Sequence, residues 1–230
     1  MNVNKIIDQT FLKKDATEEE LKKVAEEARD YSFRGFCVFP EHTKLAKSIL
    51  KGTGVKVATL IDEPTGASSH IYRLDMVKKA KDDGSDEIDV VMKIDAFKNG
   101  KYDEILDDLK EICRILPTKV IIGSGYLTDE EIKKASEIVN ESGAICVKTA
   151  TLNDPLDHAE LFEKSKHVKI MRQSAPGLLV KAAGSIRTVA DVKMMVGAGA
   201  DIIGTSSGAE IVNEATGLNL ANSEDWRKIE

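Results

Sequence analysis

Short β-branched runs alternate with longer helical patterns along the whole chain, and this alternation limits the fold more than any other feature. Strands are predicted at 5–10, 35–39, 55–61, 87–93, 119–125, 144–151, 178–184 and 201–205. Helices are predicted at 17–31, 41–51, 69–82, 101–116, 129–142, 156–173, 188–198 and 206–214. Such a series is a series of parallel βα units. Eight of each predict an α/β fold of one domain, a (β/α)8 barrel over residues 1–230, because closing the sheet removes both of its edges. No linker, fixed-period repeat or break in composition divides the chain, and the pattern fades from about residue 213.

Several helix starts are readable. Thr17 with Glu20 and Thr128 with Glu131 have capping-box spacing, and Asp154-Pro155 places a cap before a proline suited to a first turn. Residues 167–174 are β-branched enough for a strand, but Leu161, Ser165, Val168 and Met171 fall at helical spacing, so they are assigned to the helix. Met194 and Met195 are expected to fill the core between helix and barrel.

Composition excludes several function classes. The chain has 33 Lys and Arg against 39 Asp and Glu, a formal charge of −6, with no basic run to neutralise a nucleic-acid backbone. No apolar run approaches the roughly 20 residues of a membrane span, and the first residues have no signal-peptide character, so a cytoplasmic location is expected. Cys37, Cys113 and Cys146 are far apart and set in apolar surroundings, as reduced core thiols would be. His42, His70, His158 and His167 are isolated and lie in or near predicted helices, so surface positions are expected and no metal site. No Gly-x-Gly-x-x-Gly follows the first strand, which argues against a dinucleotide.

The informative charges are those inside strands. Alternation along 144–150 puts Ile145, Val147 and Thr149 on one face and Cys146, Lys148 and Ala150 on the other. In a barrel the β-branched face meets the helices, so Lys148 points inward. The same rule sends Lys181 inward from 178–184 and Asp89 inward from 87–91. Lys and Asp are almost never buried unless paired. A lone ion pair accounts for Asp89 and one lysine but leaves the second unexplained. Two neighbouring cations disfavour each other's protonation, and a lysine deprotonated in this way is a nucleophile toward carbonyls. Asp89 within reach suits proton transfer through water.

A second feature lies after the last two strands, where small residues separate strand from helix. Gly184 and Ser185, then Gly204, Ser206 and Ser207, are candidates for phosphate binding, since the loops after strands seven and eight are the usual phosphate location in such barrels.

The segments Ile7-Asp8-Gln9-Thr10, VKVAT at 55–59, Asp86-Glu87-Ile88-Asp89, Val120-Ile121-Ile122, Val147-Lys148-Thr149, VKAAGSIRT at 180–188 and GTSSG at 204–208 resemble, in order and spacing, the deoxyribose-phosphate aldolase family. The resemblance covers roughly residues 5–215. It implies a class I aldolase that interconverts 2-deoxy-D-ribose 5-phosphate with acetaldehyde and D-glyceraldehyde 3-phosphate, without metal or cofactor, often as a homodimer or larger homo-oligomer. It also implies Lys148 as the Schiff-base lysine, Lys181 as the neighbour that lowers its pKa, and Asp89 as the proton-relay or water-holding carboxylate. Asp8, Thr10, Cys37 and Thr149 match positions that line the family's site.

Departures from the family pattern cluster where substrate would sit. Gln9 stands in place of a His, Asp62-Glu63 in place of Gly-Phe, Gly123 in place of a Glu, Leu152-Asn153 where a Gly approaches phosphate, and Ser185 in place of a second Gly. The tail 227–230 lacks the terminal Tyr of some relatives. Asp62 and Glu63 would repel a phosphosugar if they faced it. Two alternatives therefore stand beside the aldolase. One is a Schiff-base lyase with a different aldehyde or phosphosugar, and the other is a catalytically silent sugar-phosphate-binding barrel.

Overall fold

A computed structural model of the 230-residue chain describes residues 2–150, 152, 154–156 and 160–217. The strands are β1 (Ile7–Phe11), β2 (Gly35–Val38), β3 (Lys56–Ile61), β4 (Glu87–Val91), β5 (Thr118–Ile121), β6 (Cys146–Lys148), β7 (Leu179–Ala183) and β8 (Ile202–Thr205). Each pairs in parallel with the next, and β8 pairs with β1 through Asp8 and Gly204, which closes the barrel. Around it run α1 (Glu18–Asp30), α2 (Thr43–Leu50), α3 (His70–Asp82), α4 (Ile94–Lys98), α5 (Tyr102–Cys113), α6 (Asp129–Glu141), α7 (Leu161–Ser174), α8 (Val189–Gly197) and α9 (Gly208–Thr216). None of the described helices is long and apolar enough to cross a membrane.

The core lies between the two layers. α1 buries Leu21, Ala25 and Ala28, spaced to keep one face inward, and α5 buries Ile105, Leu109 and Ile112. They meet the outward residues of the strands, such as Ile88, Val90, Val120 and Val147, all fully buried. Removing one such side chain, as in Leu109→Ala, costs about 2–5 kcal/mol. Both predicted capping boxes form, and Thr188 with Asp191 makes a third at α8.

Several expectations need correction. The strand predicted at 119–125 stops at Ile121, because Gly123 turns the backbone to φ 64° and a short 3-10 turn follows at Ser124–Tyr126. Asp154 does not cap α7, which starts at Leu161; its carboxylate accepts from the Leu156 and Gly125 amides and closes a local turn. Residues 157–159 of the predicted helix lie outside the described residues, as do His158 and the tail 218–230. α9 runs to Thr216, past the point where the pattern fades. Residues 167–174 are helical as expected. Met195 is buried, but Met194 is 40% exposed, since neighbours on a helix differ by a quarter turn or more and cannot both face the barrel.

Candidate active site

The inward charges of the strands form one buried network. Lys148 at the end of β6, Lys181 in β7 and Lys119 in β5 converge on Asp89 in β4. Lys119 Nζ donates to Asp89 Oδ1 at 2.8 Å, while Lys148 and Lys181 donate to Oδ2 at 2.7 and 2.9 Å. Lys181 also donates to Asp8 Oδ2 at 2.6 Å, and Lys119 reaches Glu87 at 2.7 Å. Beneath them Arg34 bridges Asp8 and Glu87 at 2.8 and 3.1 Å.

Glycines make room for these groups. A Cβ on Gly35 would fall 2.6 Å from Asp8 Oδ1, and one on Gly204 would fall 3.0 Å from Lys181 Cε, so both positions favour a residue without a side chain.

Protonation states follow from this geometry. Burial alone would raise the Asp89 carboxyl, but Lys119, Lys148 and Lys181 hold it well below the usual carboxylate range. Asp8 is held low against burial by Lys181, Lys119 and Arg34, and Glu87 against burial by Lys119, Lys56 and Arg34, to about 2. Burial would lower the Lys181 ammonium, but Asp8 and Asp89 overcome it and hold Lys181 above its ordinary value. Lys119 is held high in the same way, with burial outweighed by its carboxylates. Burial and then the Asp89 charge push the Cys37 thiol up to about 11, so it stays protonated.

A pocket of about 310 Å³ opens at the C-terminal ends of the strands, lined by Thr10, Lys148, Leu152, Gly184, Ser185, Arg187, Gly204 and Ser206 among others. Of the network, Lys148 alone among the described residues reaches this lining, and it is 3% exposed. The predicted phosphate residues gather there except Ser207, which lies off the lining with its amide bonded to Thr205 Oγ1 at 2.9 Å. Helix ends are not the free anion sites that sequence suggests. Asp191 accepts from the Arg187 and Thr188 amides at the start of α8, and Gln9 Oε1 takes the Gly208 amide of α9 at 3.0 Å. The predicted phosphate residues that line the pocket therefore lie in the loops. Lys164 Nζ donates to the Gly184 carbonyl at 2.7 Å and fixes the first of these loops, where Gly184 and Ser185 have φ 92° and 63°.

Of the four positions expected to line the site, Thr10 does so. Asp8 and Cys37 lie below the pocket in the charge network, Cys37 Sγ 3.9 Å from Asp89 Oδ2. Thr149 is buried and ties β6 to β7 through hydrogen bonds with both the amide and the carbonyl of Ala183. Asp62 and Glu63 do not face the pocket. Asp62 accepts from the Ser68 amide and the fully buried Arg73, and Glu63 pairs with Lys14 at 3.4 Å. Lys119, Glu87, Arg34 and Lys164 are the members that sequence reasoning missed. Lys119 carries a readable signal, since Val120 outward requires Lys119 inward, but as the first residue of its predicted strand it reads as a boundary.

No protein-family model matches the chain. The deoxyribose-phosphate aldolase of Caldanaerobacter subterraneus is 41% identical over 221 residues, covering 93% of this chain and 94% of its relative. The solved structure of an aldolase named QR15 superposes with a TM-score of 0.88 at 38% identity, covering 94% of this chain and 97% of the other. A deoxyribose phosphate aldolase from Aeropyrum pernix, described as having a unique tetrameric structure, superposes with a TM-score of 0.84 at 28% identity, covering 94% and 92%. With likeness spanning nearly the whole of both chains in sequence and in fold, the protein belongs to the deoxyribose-phosphate aldolase family.

Proposed function

We propose that the protein reversibly cleaves 2-deoxy-D-ribose 5-phosphate to acetaldehyde and D-glyceraldehyde 3-phosphate through a Schiff base on Lys148. The observation that carries this reading is that Lys148 belongs to the buried charge network and also lines the pocket. Within that network Arg34, Lys56, Lys119, Lys148 and Lys181 face Asp8, Glu87 and Asp89. Lys119 and Lys181 are each held protonated by their carboxylates, and Lys148 is the lysine of the network that lines the pocket.

The amine nitrogen attacks C1 of the open-chain sugar to give a carbinolamine, and loss of water leaves an iminium that draws electrons. Removal of the C3 hydroxyl proton then breaks the C2–C3 bond, releases D-glyceraldehyde 3-phosphate and leaves an enamine on Lys148. Protonation at C2 and addition of water release acetaldehyde and regenerate the amine. The iminium is itself the electron sink, so the route calls for no metal or organic cofactor.

Asp89 has both oxygens engaged and stays ionised, which suits it as counter-ion to the iminium, while Lys181, on the same Asp89 oxygen, carries the proton next to the reacting nitrogen. Gly184, Ser185, Gly204 and Ser206, with Arg187, are the groups placed to hold the phosphate. Turnover of deoxyribose 5-phosphate, followed by aldehyde release, tests the reading. Lys148→Ala should abolish it, and turnover in that variant contradicts it.

A second reading, a Schiff-base lyase for a different aldehyde or phosphosugar, is favoured by Leu152, whose side chain adds an apolar wall to the pocket. Comparing kcat/KM for deoxyribose 5-phosphate and for unphosphorylated deoxyribose separates the two. A preference for the unphosphorylated sugar would select the second. We also propose that the chain self-associates, as its Aeropyrum relative does; sedimentation velocity giving only monomer would reject this.

A further inference from the structure

Outside the barrel, at the end that carries the pocket, lies a side-chain cluster the proposed reaction does not use. Glu163 and His167 stand one turn apart on α7, and Asp129 is the first residue of α6. One donor atom from each residue lies within 4.8 Å of the other two. His167 was expected at the surface, yet it is 5% exposed. Its Nδ1 is enclosed without a hydrogen-bond partner, and its Nε2 points at Glu163 Oε1 from 4.0 Å, beyond hydrogen-bond range. A buried imidazole left in this condition calls for an explanation, and a bound ion is one of the few available.

We propose that Asp129, Glu163 and His167 form a binding site for a divalent cation of the zinc class. One imidazole and two carboxylates suit Zn²⁺, Co²⁺ or Ni²⁺, whereas Mg²⁺ and Ca²⁺ favour six or more oxygens. Zinc bonds of about 2.0–2.2 Å set tetrahedral ligands a little over 3 Å apart, so the donor atoms need to close by up to about 1.5 Å. Asp129 and Glu163 have the freedom to do so, being exposed or partly exposed at the rim above the buried ring. Lys166 occupies Glu163 Oε2 at 2.6 Å and leaves Oε1 on the His167 side. Lys164 opposes a cation here, but its Nζ is turned to the Gly184 carbonyl. A metal in this site would pin the first turn of α6 to that of α7, the helices that follow the strand ends of β5 and β6.

The test is a titration of the chelator-treated full chain with Zn²⁺ by calorimetry, and with Co²⁺ by visible absorption. One equivalent of Zn²⁺ should bind with a dissociation constant below about 100 μM, and Co²⁺ should give a tetrahedral-type band. His167→Ala should abolish both signals. Asp129→Asn and Glu163→Gln should each weaken binding by about tenfold or more. His70, which lies between Asp108 and Glu111 on α3 and α5, is the control, and His70→Ala should change nothing. Asp129 is exposed and its replacement does not endanger the fold, so unchanged affinity in Asp129→Asn overturns the proposal. Failure of the parent chain to bind Zn²⁺, or loss of binding in His70→Ala, overturns it equally.

Discussion

Lys148 and Lys181 place their Nζ atoms on a single oxygen, Asp89 Oδ2, at 2.7 and 2.9 Å. The two side chains are adjacent in register across β6 and β7, so the barrel itself brings them to the same carboxylate. Asp89→Asn removes the charge that both lysines and Lys119 share. It is expected to lower kcat by about 10²–10⁴-fold and to destabilise the fold by about 3–5 kcal/mol. Steady-state kinetics and urea unfolding check the two effects.

Lys181→Met leaves Asp8 and Asp89 buried with one partner fewer, and the expected loss of stability is again about 3–5 kcal/mol. Adding Asp8→Asn removes one of the stranded charges. The double variant should therefore regain most of that stability while staying inactive, because the proton-bearing neighbour of Lys148 is still missing. Urea midpoints of the four members of this cycle measure the coupling, and an additive result would mean that the 2.6 Å Lys181–Asp8 contact carries no net energy.

Acid should weaken the fold in a defined window. Glu87 is held to about 2, and Asp8 and Asp89 are also held well below the usual carboxylate range, so in acid the native state binds fewer protons than the unfolded chain. Their contribution is complete above the ordinary carboxylate values and is lost as pH falls from roughly 4.5 toward 2 and below. Lys119→Met raises all three carboxyls toward their ordinary values. It should lower stability at pH 7 and flatten the slope of stability against pH between 5 and 2, as followed by denaturant unfolding at each pH.

Asp62 and Glu63 look like a threat to phosphosugar binding in sequence, but both are turned to other partners in the structure. Asp62→Asn should therefore leave KM for deoxyribose 5-phosphate within about twofold. Arg73→Met strands Asp62 and Asp108 and frees the Val91 carbonyl, and it should cost about 3–5 kcal/mol. A large fall in KM in Asp62→Asn would show that its charge does reach the substrate.

The period-two pattern of the strands made the barrel and the inward direction of Asp89, Lys148 and Lys181 legible, because alternation is a local property. The rest of the network was not legible for physical reasons. Arg34 precedes β2 and reads as loop, yet the close approach that Gly35 permits lets it reach Asp8. Lys164 lies on a helix where charge is ordinary, and only the packing of α7 against the Gly184 loop gives it a partner. α4 has five residues and no side-chain cap, too little for periodicity to register. At the helix starts beside the Gly184 and Gly204 loops, Asp191 and Gln9 already satisfy amides that a sequence cannot show to be taken.

The central claim is that Lys148 forms the Schiff base, and trapping it is the most direct test. Incubation with acetaldehyde and borohydride, followed by peptide mass mapping, should place one reduced two-carbon adduct on Lys148, with Lys119 and Lys181 unmodified. No adduct, or an adduct on Lys181 in place of Lys148, would contradict the account.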